Sequence, residues 1–260
     1  MVTERRIALL VEYDGAGFAG SQAQEEQRTV QGALEEAILH FTGECRRVAL
    51  AGRTDAGVHA VEQVVALDTG TTHDAATFRR ALNHFLPEDV VVRAAVEVAA
   101  DFDPRRHAQS RVYRYEIDDS GERSALRRHR AWQVRHPLDD DAMSSAAQTL
   151  PTDARDWAAF AGTVPEGYPT VRTLRSCEVQ RCSPHGLTVT VEADGFLRQQ
   201  VRRIVGALER VGAGRLDAGE FAQLVNGPPG SAGPTAPPQG LTLLAVRYPR
   251  GTVMWETVEQ

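Results

Sequence analysis

The segment Gly52-Arg53-Thr54-Asp55-Ala56-Gly57-Val58-His59-Ala60 sets an arginine, an aspartate and a histidine around two glycines. It links two strand-like stretches and is longer than the about two to five residues of a simple hairpin turn. Loops carried on rigid strands are where functional side chains concentrate. An aspartate there can serve as a nucleophile or a base. An aspartate that only caps its own turn fits the composition equally well, and both readings stand at this point. A hydrolase working on a glycosyl bond would want a second carboxylate. The segment holds only Asp55, so a partner acid would have to come from elsewhere in the chain.

Gly15, Gly17 and Gly20 spell G-x-G-x-x-G after a strand-like run. A dinucleotide site needs a helix to open at that point, so that its N-terminus can hold a pyrophosphate. Ser21 to Arg28 is polar and unpatterned, and helical spacing begins only near Thr29. The glycines are therefore expected to allow close approach of a backbone, RNA being one candidate. Cys45, Cys177 and Cys182 are odd in number and lack C-x-x-C spacing, which disfavours a disulfide framework and a structural zinc site.

The elements that must position the loop can be read from periodicity. Arg6 to Glu12 reads as a strand and Thr29 to Phe41 as a helix, with Val30, Leu34, Ala37, Ile38 and Phe41 on one face. Arg46 to Ala51 and Val61 to Asp68 read as strands. Asp74 caps a helix to Leu86, stopped by Pro87, and Asp89 to Val98 is a Val-rich strand. The order β-α-β-β-α-β is the ferredoxin-like unit. It recurs with strands at Arg111 to Ile117, Thr173 to Gln180, Leu187 to Ala193 and Leu241 to Tyr248. The second set of helices spans Asp139 to Leu150, Leu197 to Val211 and, shorter, Asp217 to Val225, and Gly227 to Gly240 is a Pro/Gly-rich loop. The fold class is α+β: two ferredoxin-like halves, residues 1–104 with the Asp55 loop and 105–260, with a cleft expected between them. RNA-recognition modules share this topology, and the topology alone does not decide function.

The net charge is −6, and all 29 basic residues are arginine. Their distribution matters more than the sum. From Arg123 to His136 the chain carries five arginines and two histidines with no acid, and Arg105, Arg106, Arg111 and Arg114 lie just upstream. Such a run is a solvated face unless other observations point to RNA. No apolar run approaches the roughly 20 residues that span a bilayer. Met1 to Arg6 is polar and lacks the core of a signal peptide. A cytoplasmic protein without membrane association is expected.

The run Gly52 to His59 resembles the signature motif of the tRNA pseudouridine synthase A (TruA) family. Other pieces agree in the same order. Tyr13-Asp14-Gly15 with Phe18, Gly20 and Gln22 resembles the first-strand motif, and Leu82-Asn83 with Leu86-Pro87 the end of the second helix. Phe102 with Arg105, then Arg111 to Tyr115, resembles the crossing into the second half. Phe196-Leu197-Arg198, Val201-Arg202 and Ile204-Val205-Gly206 resemble the late helix, and Gly240-Leu241 with Leu244 and Val246 the closing strand. The resemblance covers nearly the whole chain.

The resemblance implies the pseudouridine synthase fold. It also implies isomerisation of uridine to pseudouridine in the anticodon stem-loop of tRNA, with no metal and no cofactor, by a homodimer. Asp55 matches the catalytic carboxylate. Arg202 matches the arginine that pairs with it; a guanidinium beside a carboxylate favours the ionised form. The target base must leave its stack. Arg53 resembles the residue that fills or supports the vacated place, and Tyr113 the aromatic that stacks on the flipped uracil. For His59, a structural role in the loop and a contact with RNA both remain open. Arg105, Arg106, Arg111, Arg114 and Arg198 are candidates for the RNA backbone. The chain departs from the pattern at Ser21, where relatives commonly carry Trp, so one stacking or packing surface is expected to be lost. Gly162 to Thr170 matches poorly. A non-catalytic RNA-binding module of the same fold is the alternative.

Overall fold

The structure, a computed structural model, describes residues 4–255; Met1 to Thr3 of the polar N-terminal stretch lie outside them. The chain forms two compact units, one from residues 4–109 with 243–255 and the other from residues 110–242. Where the sequence reading counts the last strand with the second half, its residues from Leu243 onward group with the first unit.

The first unit runs β1 (Arg5–Tyr13), α1 (Val30–Thr42), β2 (Ala49–Leu50), β3 (His59–Thr69), α2 (Ala75–Phe85) and β4 (Val90–Val98). The strands β4 and β3 flank β1 antiparallel, and β2 pairs with β3. Period-2 alternation sorts the side chains of β1. Ala8 joins Ala51, Val64, Ala66 and Phe102 in one cluster, with Tyr248 and Trp255 packed on it, while Ile7, Leu9 and Val11 are buried toward the other face. Both helices start where a side chain satisfies an orphan amide: Thr29 accepts from Gly32 and Asp74 from Thr77. Gly43 ends α1 in the left-handed region, and Leu86, extended before Pro87, ends α2. The Asn83 amide bonds Val92 in both directions, at 2.9 and 2.7 Å, and ties α2 to β4.

The second unit runs β5 (Ser110–Asp118), β6 (Trp132–Gln133), α3 (Asp140–Ala147), β7 (Ala154–Asp156), β8 (Val171–Ser183), β9 (Gly186–Ala193), α4 (Gln200–Gly212) and α5 (Ala218–Gln223), and β10 spans Leu241–Arg247. Its strand order is β5-β9-β8-β7, antiparallel, with β6 beside β5. Trp157, Phe160 and Phe221 are fully buried and in ring contact. The irregular stretch after α3 is therefore core.

Three of the elements that are shorter than their sequence patterns have a local cause. Only Ala49–Leu50 of the Arg46–Ala51 stretch is strand, because the Val48 amide donates to the Glu35 carboxylate instead of a neighbouring strand. The helix predicted from Asp139 ends at Ala147, where i→i+3 bonds from Thr149 and Leu150 tighten the last turn ahead of Pro151. The helix predicted from Leu197 begins at Gln200, since Gln199 sits at φ 62° and the Gln200 side chain caps the Leu197 amide at 2.8 Å.

Candidate active site

The Asp55 loop spans the gap between β2 and β3 and is held from behind by buried polar side chains. Gln63 on β3 is fully buried, and its amide grips Gly52 twice: Nε2 donates to the carbonyl at 2.8 Å, and Oε1 accepts from the backbone N–H at 3.2 Å. Thr54 is held at three atoms. Its hydroxyl meets the Tyr13 hydroxyl at 2.8 Å, its N–H donates to Ser21 Oγ at 2.9 Å, and its carbonyl accepts from the Ser21 N–H at 3.1 Å. Burial holds the Tyr13 phenol above its ordinary pKa, so it stays a neutral hydroxyl. A buried polar group left unpaired is costly, so each of these bonds disfavours other loop conformations.

Successive residues of the loop point opposite ways. Thr54 is buried, Arg53 is exposed and Asp55 is half-buried. The Val58 amide closes a turn on the Asp55 carbonyl at 3.2 Å, and Gly57, at φ 80°, donates to the Phe18 carbonyl. The Asp55 side chain thus stands on a backbone whose preceding residue is clamped and whose following turn is closed.

The glycines after β1 have their explanation here. No helix opens among them; Gly15–Gly17 is a single 3-10 turn. A Cβ on Gly15 would collide with the Val58 carbonyl, and one on Gly20, at φ 112°, would lie 3.0 Å from the Thr54 carbonyl. The backbone they admit is that of the Asp55 loop. Ser21 continues the same contact. It is fully buried and supplies an acceptor, so the position where the loss of an aromatic surface was expected instead fastens the loop. His59, at 2% exposure, closes the loop's other end: its Nδ1 lies 3.0 Å from both the Gly15 amide and the Asp14 carboxylate. These contacts give His59 a structural part.

Arg105 and Arg106 also belong to the first unit. They are exposed on the turn after β4, their amides capped by Asp103. The remaining candidates belong to the second unit. Tyr113 on β5 is 7% exposed and meets the Phe196 ring edge-on at 5.2 Å. Arg111 is nearly buried and donates to the Asp194 carbonyl at 2.7 Å. Arg114 Nε lies 3.9 Å from Glu116. Arg198 is exposed just before α4. Arg202, one turn into that helix, donates Nε to the Ala236 carbonyl at 2.7 Å and accepts the Ala236 amide on its own carbonyl at 3.0 Å. Arg203 holds the Gly230 and Gly233 carbonyls of the same loop, and a Cβ on Gly206 would collide with the Pro234 carbonyl. The Pro/Gly-rich loop is thus seated on α4.

Sequence reasoning did not single out Gln63 as a positioning group, and it read Ser21 only as a lost aromatic. The one signal for Gln63 was an uncharged amide within a Val-rich strand. Among the described residues, no three His, Cys, Asp or Glu gather as a metal site, and no helix is long and apolar enough to cross a membrane.

The family profile described as tRNA pseudouridine synthase matches residues 9–105 and 154–249. These segments contain the Asp55 loop and α4; β5 with Tyr113 lies between them. Curated relatives align over nearly the full length. The tRNA pseudouridine synthase A of Chloroflexus aurantiacus is 44% identical, covering 96% of this chain and 91% of that protein. The protein of that name from Methylobacterium sp. (strain 4-46) is 48% identical, covering 94% and 98%. That from Myxococcus xanthus is 41% identical, covering 95% and 93%.

Proposed function

This chain belongs to the tRNA pseudouridine synthase family, and we propose that it converts uridine to pseudouridine in the anticodon stem-loop of tRNA, with Asp55 as the catalytic carboxylate. The C1′–N1 glycosidic bond breaks, the uracil turns, and C1′ is rejoined to C5. The hydrogen at C5 leaves as a proton and N1 gains one, so atoms and electrons balance without oxidation. A carboxylate serves this reaction by attacking C1′ or by taking a sugar proton.

The observation that carries the reading is the clamped Thr54. Reaction within a bound complex rewards a group held in place beforehand, and the three bonds to Thr54 fix the backbone that bears Asp55. Arg202 is proposed as the guanidinium that supports the carboxylate. Arg53, exposed beside Asp55, fills the place the flipped nucleotide vacates. Tyr113, held by Phe196, stacks on the uracil; stacking on an aromatic face is worth about 1–3 kcal/mol per base. Arg105, Arg106, Arg114 and Arg198 serve the RNA backbone, and Arg111, bonded to Asp194, has the smaller share. The working form is proposed to be a cytoplasmic homodimer, which light scattering tests.

The decisive experiment is tritium release from tRNA transcripts carrying uridine labelled at C5. Joining C1′ to C5 must expel that hydrogen. Release by the wild type and none by Asp55→Ala is the expected result. Absence of release from folded protein that binds tRNA would replace this reading with a non-catalytic RNA-binding module.

A further inference from the structure

The arginine run from Arg123 to His136 is absent from the site described above, and the second unit places part of it around a pocket. The pocket measures about 570 Å³ and is lined by Arg123, Arg128, Trp132, Gln133 and Gln239, with no acid among its lining residues. We propose that it is a second RNA-binding subsite, which takes a nucleotide of the substrate other than the target uridine: phosphate on the two guanidinium groups, base against the indole.

The wall of the pocket is fixed by contacts on its far side. Arg127 turns away into the strand, with Nη1 3.3 Å from Asp118 and Nη2 3.7 Å from Glu116. Glu116 and Asp118 on β5 thus lie against Arg127, and neither lines the pocket. The Gln133 amide donates to the Ser124 carbonyl at 2.7 Å and closes the loop. Trp132 is half-buried, edge-on to the buried Tyr115 ring at 6.3 Å, and so offers its indole at a set angle. Arg123 and Arg128 are both exposed. Among the described residues Arg123 makes no ion pair, and Arg128 donates to the Ala125 carbonyl. Exposed guanidinium beside an aromatic face and amide groups is the chemistry by which proteins hold single-stranded or looped RNA. A purely solvated arginine face needs neither the pocket nor the fixed indole.

The proposal rests on tRNA being the substrate, and its test is separate from catalysis. tRNA affinity is measured against salt for the wild type, Arg123→Ala/Arg128→Ala and Trp132→Leu, with thermal melting to establish folding. Each phosphate contact contributes about 0.7 to 0.9 to the slope of log affinity on log salt. The double variant should therefore lose about 1.4 to 1.8 of that slope. Trp132→Leu should bind roughly tenfold more weakly with its slope unchanged, the lower part of the range for a stacked base. In turnover, both should raise KM and leave kcat intact. Wild-type slope and affinity in both folded variants would overturn the proposal. So would selective loss of uridine 5′-monophosphate binding with tRNA binding intact, which would make the pocket a free-nucleotide site. If wild type binds tRNA but forms no pseudouridine, the reaction assigned to Asp55 fails while the subsite stands or falls on binding alone.

Discussion

Two loops are tied to residues on which the proposed reaction depends, and they are fastened by opposite means. In the Asp55 loop the frame reaches inward: Gln63 and Ser21 hold the backbone at Gly52 and Thr54, and Tyr13 holds the Thr54 hydroxyl. In the loop of residues 227–240 the fasteners are arginines of α4, one of which, Arg202, is itself a candidate for the reaction. Anchoring and chemistry are divided among neighbours in the first loop and combined in one side chain in the second. The two should therefore respond differently to substitution.

The largest effect is expected at Asp55. Asp55→Ala should slow pseudouridine formation by about 10³-fold or more, near the upper part of what a positioned acid–base or nucleophilic group contributes. Stability should fall by no more than about 1 kcal/mol, because the holds on Gly52 and Thr54 are left in place. Activity assays paired with urea denaturation check both numbers. A matching loss of stability would erase the proposed division of labour.

Arg202→Lys probes the opposite case. Lysine keeps the charge but loses the planar fork that lets one side chain serve two partners. Turnover should fall by about 10- to 100-fold, and stability should fall as well, by about 1.5–3 kcal/mol, the range for a hydrogen bond from a charged donor. Wild-type stability with lost turnover would show that the bond to Ala236 is dispensable to the loop. Gly206→Ala touches the seat of the same loop without altering any arginine. Its new methyl meets the Pro234 carbonyl, and displacing that backbone should cost about 2 kcal/mol, as overpacking commonly does. Turnover should drop several-fold through the shifted Ala236, which double-mutant analysis with Arg202→Lys would reveal as non-additive.

Much of this was legible in the sequence where local rules decide. The β-α-β-β-α-β order of the first unit follows from strand alternation and from caps such as Thr29 and Asp74, which act within a few residues. Pro87 likewise marks its own helix end. The Asp55 loop was visible because its length and composition break the hairpin rule. What stayed hidden depends on partners distant along the chain. Val48 leaves the strand pattern because of Glu35, and Gln199 shortens α4 by adopting a left-handed conformation that no neighbour announces. Gly15 and Gly20 advertised a close approach but not to what, and the answer lies some forty residues on, at Val58 and Thr54. Ser21, judged against the family pattern, looked like a subtraction. Only the fold reveals that a hydroxyl there meets the amide of the residue before Asp55.

The smallest effect, at Ser21, tests the first loop most finely. Ser21→Ala removes the acceptor of the Thr54 N–H while keeping the backbone bond from the Ser21 N–H to the Thr54 carbonyl. One of the three holds on Thr54 disappears, and a buried donor loses its partner, at a cost of about 1 kcal/mol. If that hold serves only folding, melting should drop slightly and kcat should be unchanged at temperatures where the protein is folded. If it keeps Asp55 in line, kcat should fall about fivefold with KM unaltered, because the RNA contacts do not pass through Ser21. Tyr13→Phe removes the other side-chain hold and should reproduce the pattern, and the double variant should lose more than the two single effects combined. Wild-type kcat in both folded single variants would mean that the loop's backbone bonds suffice, and the contrast between the two loops would shrink to one of stability alone.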